Sequence, residues 1–210
     1  MYEIALVGCG RISGRHVEAI AEAPNVRIAA VCDVVPEKAA ACAEKIGHDV
    51  KVVHDLADLS GLGIDVAAIL TPSGAHPRHC IEVAEKTDVP TILCEKPLSL
   101  TVREAFELFR RVDATGKRLL PVYQNRYNPL VAFIKDTIDS GRLGTLYQFV
   151  CNVFWNRNDA YFDIGWHGTR ELDGGVLYTQ ASHYVDLVHF LFGEVVESKG
   201  LDGRDRKSVV

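Results

Sequence analysis

A glycine-rich turn, a lone acid and a charged pair at the end of an apolar run are the parts of this sequence that can do chemistry. The turn, Gly8-Cys9-Gly10-Arg11-Ile12-Ser13, follows the apolar residues 3–7 and opens a helix-forming stretch. A first glycine permits a tight turn and a second lets the backbone approach a pyrophosphate. The helix N-terminus behind them offers unpaired N–H groups and a positive dipole to phosphates. The third glycine position holds Ser13, small enough for helix–strand packing, with Gly14 next. Gly8, Gly10, Arg11 and Ile12 are thus candidate cofactor contacts. Asp33 closes the second apolar run, where a carboxylate accepts hydrogen bonds from ribose hydroxyls and repels a 2′-phosphate. No Arg or Lys directly follows it, which favours NAD over NADP. Thr71-Pro72-Ser73 ends a further apolar run. Thr71 and Ser73 can reach a ribose or phosphates there, and His76 lies just beyond, where a solvent-facing histidine at a helix start is the alternative. In ILCEKPLSL, residues 92–100, Glu95 and Lys96 follow apolar residues with no polar lead-in, and Pro97 comes at once. Strand ends are often charged, so this stretch alone leaves open whether the pair is chemical or incidental.

These residues need elements to hold them. Apolar runs at 3–7, 27–32, 51–53, 65–70, 90–94 and 118–123 alternate with helical patterns at 11–23, 36–46, 75–86 and 101–115. Strands alternating with helices imply parallel pairing, hence an α/β fold with a doubly wound Rossmann sheet. Continuous apolar strands are expected when both sheet faces are covered. After Tyr123 the rhythm changes. A helix is expected over 129–140, a turn at 141–144 and a long strand over 145–155 bearing Tyr147, Phe149, Phe154 and Trp155. A helix over 175–192 and a candidate strand at 195–199 follow. Residues 1–124 then form a dinucleotide-binding domain. Residues 125–204 begin an α+β domain with a large open sheet, which the chain leaves incomplete.

The composition narrows the class. Hydrophobic residues at 48% and charged residues at 24% are those of an ordinary soluble globular protein. A net charge of -5, with no basic run before the last few residues, argues against nucleic acid as a partner. No apolar run reaches the roughly 18 residues of a membrane span, and residues 3–7 read as a first strand rather than a signal peptide. The six cysteines form no CxxC pair and read as reduced thiols of a cytoplasmic protein. The eight histidines show no HExxH spacing, so no metal is expected.

Taken together, LVGCGRISGRH, TPSGAHPRHC, CEKP and DGGVLYTQASHYVDL resemble the glucose–fructose oxidoreductase/inositol dehydrogenase (Gfo/Idh/MocA) family, in order over nearly the whole chain. The resemblance implies that the Glu-Lys-Pro stretch ends a strand beside the nicotinamide of NAD, with Lys96 in the catalytic group. Glu95 then orients the lysine or touches the cofactor. Within the family, QNRYNPL, NVFWNRNDAYFD, GWHGTRELDGG and TQASHYVD are similar to UDP-N-acetylglucosaminuronic acid 3-dehydrogenases, which oxidise a sugar 3-hydroxyl on a route to surface-polysaccharide sugars. The pattern departs from the family in two places. Thr179 stands where many members carry an Asp before the catalytic histidine, a departure that the narrower group shares. His167 stands where an arginine is expected.

Oxidising a secondary alcohol needs a base and an oxyanion-stabilising donor at one oxygen. His183 has the suitable intrinsic pKa for the base, with Lys96 as the donor; desolvation of Lys96 reverses the two roles. Arg126, Asn128, Tyr161 and Thr179, with Lys96 and His183, are the candidate contacts to a UDP-sugar. The resemblance further implies a homo-oligomer, dimer or tetramer, for the full-length form. Competing readings are another sugar or polyol dehydrogenase of the family, an NAD-dependent glycosidase, and an NAD-binding fragment without activity. Asp205–Val210 reads as the translation of sequencing-adapter sequence, so the chain is expected to be a C-terminally truncated fragment.

Overall fold

Six of the apolar runs become strands of one sheet. The computed structural model describes residues 1–200. The strands are β1 (Tyr2–Val7), β2 (Val26–Cys32), β3 (Lys51–Val53), β4 (Val66–Ile69), β5 (Thr91–Cys94) and β6 (Arg118–Pro121). All neighbours pair in parallel, in the order β3-β2-β1-β4-β5-β6. The order reverses direction between β1 and β4, which opens a crevice at the carboxyl ends of those two strands. The connections carry α1 (Ser13–Glu22), α2 (Pro36–Ile46), α3 (His76–Lys86) and α4 (Val102–Ala114).

The two-residue period of a strand divides the core. Ile4 and Leu6 of β1 join Ile28, Val31, Ala68 and Leu70 on one face, under Ala39 and Cys42 of α2. Ala5 and Val7 face the other way, with Ala67, Ile69 and Ile92, under Val83 of α3 and Leu108 and Val112 of α4. Local sequence sets the helix ends. Pro36 opens α2, and Gly47 closes it at φ +76°. The Thr101 hydroxyl caps α4 by accepting from the Glu104 N–H. No disulfide links the cysteines; Cys151 is exposed and the others are buried or partly buried.

This first compact unit spans Met1–Val122, and a second begins at Tyr123. The second contains α5 (Pro129–Asp139), α6 (Asp159–Phe162), α7 (Val176–Thr179) and α8 (Ser182–Phe192). The helix expected over 175–192 is therefore two helices, broken at Gln180 and Ala181. The strand expected over 145–155 is not formed, nor is the one at 195–199. A strand exists only by pairing, and among the described residues the second unit offers no other strand to pair with. The aromatics of that stretch stay largely in solvent, Tyr147 and Phe154 each 92% exposed. The expectation for 205–210 lies outside the described residues. No helix among those described is long and apolar enough to cross a membrane.

Gly8 is tightly packed against the sheet. Its φ is +99°, and a Cβ there would stand 2.9 Å from the Leu70 carbonyl carbon at the end of β4. A Cβ at Gly10 would meet nothing within 4 Å. Gly8→Ala is expected to cost about 2 kcal/mol or more in a urea titration, and Gly10→Ala less than about 1 kcal/mol. Equal midpoints for the two variants would overturn this account of the turn.

Candidate functional site

The glycine turn continues the β1 ladder by one bond, Gly8 N–H donating to the Cys32 carbonyl at 2.8 Å. Ser13, buried in the third glycine position, satisfies its hydroxyl by donating to the Gly10 carbonyl at 2.7 Å. A serine thus fits the helix–strand contact without an orphaned polar atom. Gly10, Arg11 and Ile12 are exposed. The Asp33 carboxylate is fixed from both sides, accepting from Cys9 N–H at 2.8 Å and Val35 N–H at 2.9 Å. Each oxygen keeps a further lone pair for a ribose hydroxyl. Val34, the next residue, is exposed and offers no cation to a 2′-phosphate. A turn that only glycine fits, open space at Gly10 and a fixed carboxylate at the end of β2 fit an NAD-type dinucleotide.

Beyond the crevice, β5 delivers Glu95-Lys96-Pro97 to the same edge. Glu95 N–H donates to the Ile69 carbonyl at 3.0 Å, which carries the pairing to β4 past the end of β5. The Glu95 side chain is buried, at 8% exposure. One oxygen lies 2.9 Å from His16 Nε2, and the other accepts from Lys96 N–H at 3.1 Å. Burial opposes ionisation of this carboxyl, but the His16 bond, the Lys96 N–H and the nearby charges prevail and hold it below the ordinary value. An ionised carboxylate only accepts, so His16 Nε2 carries the proton of that bond. Lys96 is half-buried and precedes a cis bond to Pro97.

His76 is buried rather than solvent-facing. It is 1% exposed, with Nδ1 2.7 Å from the Pro97 carbonyl and Nε2 2.7 Å from the Thr71 carbonyl. Thr71 is held a second time, its hydroxyl 2.9 Å from His79 Nδ1. Arg78 donates to His79 Nε2 at 3.0 Å. A guanidinium cannot accept, so Nε2 is the bare nitrogen and Nδ1–H donates to Thr71 Oγ1. The Thr71 hydroxyl proton then points elsewhere and can serve a ligand. Burial, with the Arg78 charge behind it, pulls the His79 pKa down and keeps this tautomer neutral. Ser73 is buried in the short 3-10 turn Ser73–Ala75.

Sequence reasoning missed His16 and His79. The available signal was their position, one helical turn inside helices that open at glycine or proline turns of the ligand edge.

In the second unit, His183 lies in the first turn of α8, 9% exposed, with its ring edge-on to Tyr123 at 6.3 Å. Arg126 is engaged by Asp186, one turn further along α8, through two bonds of 2.8 and 2.5 Å. Its guanidinium also lies over Phe190 at 5.1 Å. Asn128 caps α5, its side chain accepting from Leu130 N–H. The Tyr161 hydroxyl accepts from Gln180 at 3.0 Å, while its ring stacks on His167 at 4.0 Å and under Arg157 at 4.8 Å. The Thr179 hydroxyl donates to the Gly175 carbonyl at 3.0 Å.

An open groove of about 1250 Å³ runs between α3 and α4, past Ile81, Glu85, Phe106 and Arg111. Ion pairs line it, Lys86–Glu82, Arg110–Glu107 and Arg111–Glu85, and it contains none of the candidate residues. The candidate cofactor residues of the first unit lie at the strand ends instead.

Residues 2–123 match the family described as oxidoreductase family, NAD-binding Rossmann fold, and residues 131–207 match the GFO/IDH/MocA C-terminal domain. The chain belongs to the Gfo/Idh/MocA family. The WlbA dehydrogenase from Bordetella pertussis, whose crystal structure is a complex with NADH and UDP-GlcNAcA, is similar at a TM-score of 0.84 and 37% identity. That likeness covers 91% of this chain and 55% of that one. The rhizopine catabolism protein MocA of Rhizobium meliloti is 30% identical over 194 residues, 92% of this chain and 58% of its own length. An inositol 2-dehydrogenase of Mycolicibacterium gilvum is 28% identical over 93% of this chain and 53% of its own. The chain spans just over half the length of these relatives.

The buried Glu95 carboxylate makes stability pH-dependent in a definite sense. Its folded pKa lies below the ordinary 4.5. Its contribution is therefore complete above that value and is lost as pH falls through the folded pKa. Urea titrations of the protein and of Glu95→Gln, from neutral pH to about pH 3, are expected to show the larger loss in the native sequence. Parallel pH profiles would mean that Glu95 is not ionised in the fold.

Proposed function

We propose that the protein oxidises the 3-hydroxyl of a UDP-N-acetylhexosaminuronic acid to the 3-keto sugar with NAD, on a route to surface-polysaccharide sugars. The observation that carries this reading is Glu95-Lys96-Pro97 at the carboxyl edge of the sheet, next to the β1/β4 crevice. It stands in a chain 37% identical to a dehydrogenase crystallised with NADH and UDP-GlcNAcA. NAD, when bound, supplies the acceptor for the hydride that leaves the carbon.

The chain's own residues do the rest. Gly8, Gly10, Arg11 and Ile12 cradle the pyrophosphate, and Asp33 takes the adenosine ribose. Thr71 and Ser73 line the crevice from β4. The Lys96 ammonium hydrogen-bonds the sugar hydroxyl and stabilises the negative charge that grows on its oxygen. His183 takes the hydroxyl proton. Glu95, anchored by His16, keeps Lys96 in line. Arg126 acts through Asp186, by holding the helix that carries His183, and Asn128 acts as a cap. Tyr161 and Thr179 are assigned to the substrate side. The full-length form acts as a cytoplasmic homo-oligomer in this reading.

The inositol dehydrogenases among the relatives favour a second reading, oxidation of a polyol in the same site. A panel of UDP-sugars and inositols, followed by NADH absorbance on the protein at its full natural length, separates the two. Turnover confined to the uronic acid nucleotide is expected. Lys96→Met is expected to lower kcat by about a thousandfold while NAD still binds. Near-normal turnover in that variant would refute the role of Lys96.

A further inference from the structure

His76 joins two segments that lie far apart in the chain. Its ring stands between the Thr71 carbonyl at the end of β4 and the Pro97 carbonyl one residue past Lys96, each 2.7 Å from a ring nitrogen. At 1% exposure it cannot reach a ligand in solvent, so its place in the site is indirect. Both partners only accept, and a neutral imidazole donates through one nitrogen. Burial lowers the His76 pKa against the pull of the two carbonyls and of Glu95, while Lys96 pushes in the same direction as burial. The neutral ring therefore has one N–H for two carbonyls.

Burial decides which carbonyl receives it. The link to Pro97 is buried, whereas the link to Thr71 is only partly so. A partly exposed carbonyl can take a water, but a buried one left without a donor costs its full desolvation. The proton belongs on Nδ1, facing Pro97. We propose that His76 is a positioning residue for Lys96: its Nδ1–H fixes the Pro97 carbonyl and so sets where the lysine stands at the cofactor edge. The proposal rests on the reading of Lys96 as a catalytic residue.

Asparagine and glutamine separate this role from a merely structural one. An Asn side-chain NH₂ reaches the position of Nδ1, and that of Gln reaches the position of Nε2. Steady-state kinetics on the protein at its full natural length would compare His76→Asn, His76→Gln and Lys96→Met, with melting temperatures and NAD affinities for each. His76→Asn is expected to keep kcat within about tenfold, and His76→Gln to lose about a hundredfold, at comparable melting temperatures and NAD affinities. Equal kcat in the two histidine variants, with Lys96→Met inactive, would overturn the proposal while leaving the function intact. An active Lys96→Met would instead sink the function. Where turnover is too slow to measure, the rate of Lys96 acetylation by acetic anhydride, read by mass spectrometry, reports the same placement. It should change in His76→Gln and not in His76→Asn, and identical rates in the two would again overturn the proposal.

Discussion

A parallel sheet sends every strand to the same edge, and the first unit is built on that constraint. With all pairs parallel, the residues that follow β1, β2, β4 and β5 emerge side by side although the chain separates them widely. The order reversal between β1 and β4 parts the connecting helices to opposite faces and leaves the edge open there. Gly8 must be glycine because the end of β4 presses against it. Asp33, Thr71 and Glu95 arrive at the same edge by the same geometry.

Edge placement alone does not fix a side chain, and the ties there are polar. Asp33 receives two backbone N–H groups, Glu95 receives His16, the Thr71 hydroxyl receives His79 and the Pro97 carbonyl receives His76. Three of these ties come from histidines on helices that start at the ligand edge. Each joins one loop to another element, so the loops do not move independently. Such buried or partly buried bonds add only about 1 kcal/mol net apiece, but breaking one leaves its partner poorly solvated. They therefore act more on conformation than on total stability.

This division explains what could be read from the chain. The parallel sheet, its strands and helices, and the glycine turn with its acid were legible because each depends on a local pattern. Apolar runs of a few residues, helical periodicity and turn chemistry are all written within one segment. The partners of Glu95 and His76 were not legible, because a histidine in a helix carries no mark of what it will face across the fold. The same holds for Arg126, which has the makings of an anion ligand in sequence and is held by Asp186 in the structure. The stretch 145–155 failed for the complementary reason. Its length and its aromatics are those of a strand, but the hydrogen bonds of a strand belong to its neighbours.

The histidines also bear on why the edge is not simply packed with apolar side chains. Leu or Met at position 76 would fill a similar volume and spare the ring its desolvation, and replacing buried polar groups in this way is often neutral or stabilising. It would leave the buried Pro97 carbonyl without a donor, and that loss falls on the segment bearing Lys96. A polar tie fixes direction as well as distance, because a hydrogen bond weakens steeply when bent. For a lysine with a long flexible stem, the anchored backbone on either side is what the fold can control. Glu95 on one side and Pro97 on the other are both held by histidines, His16 of α1 and His76 of α3.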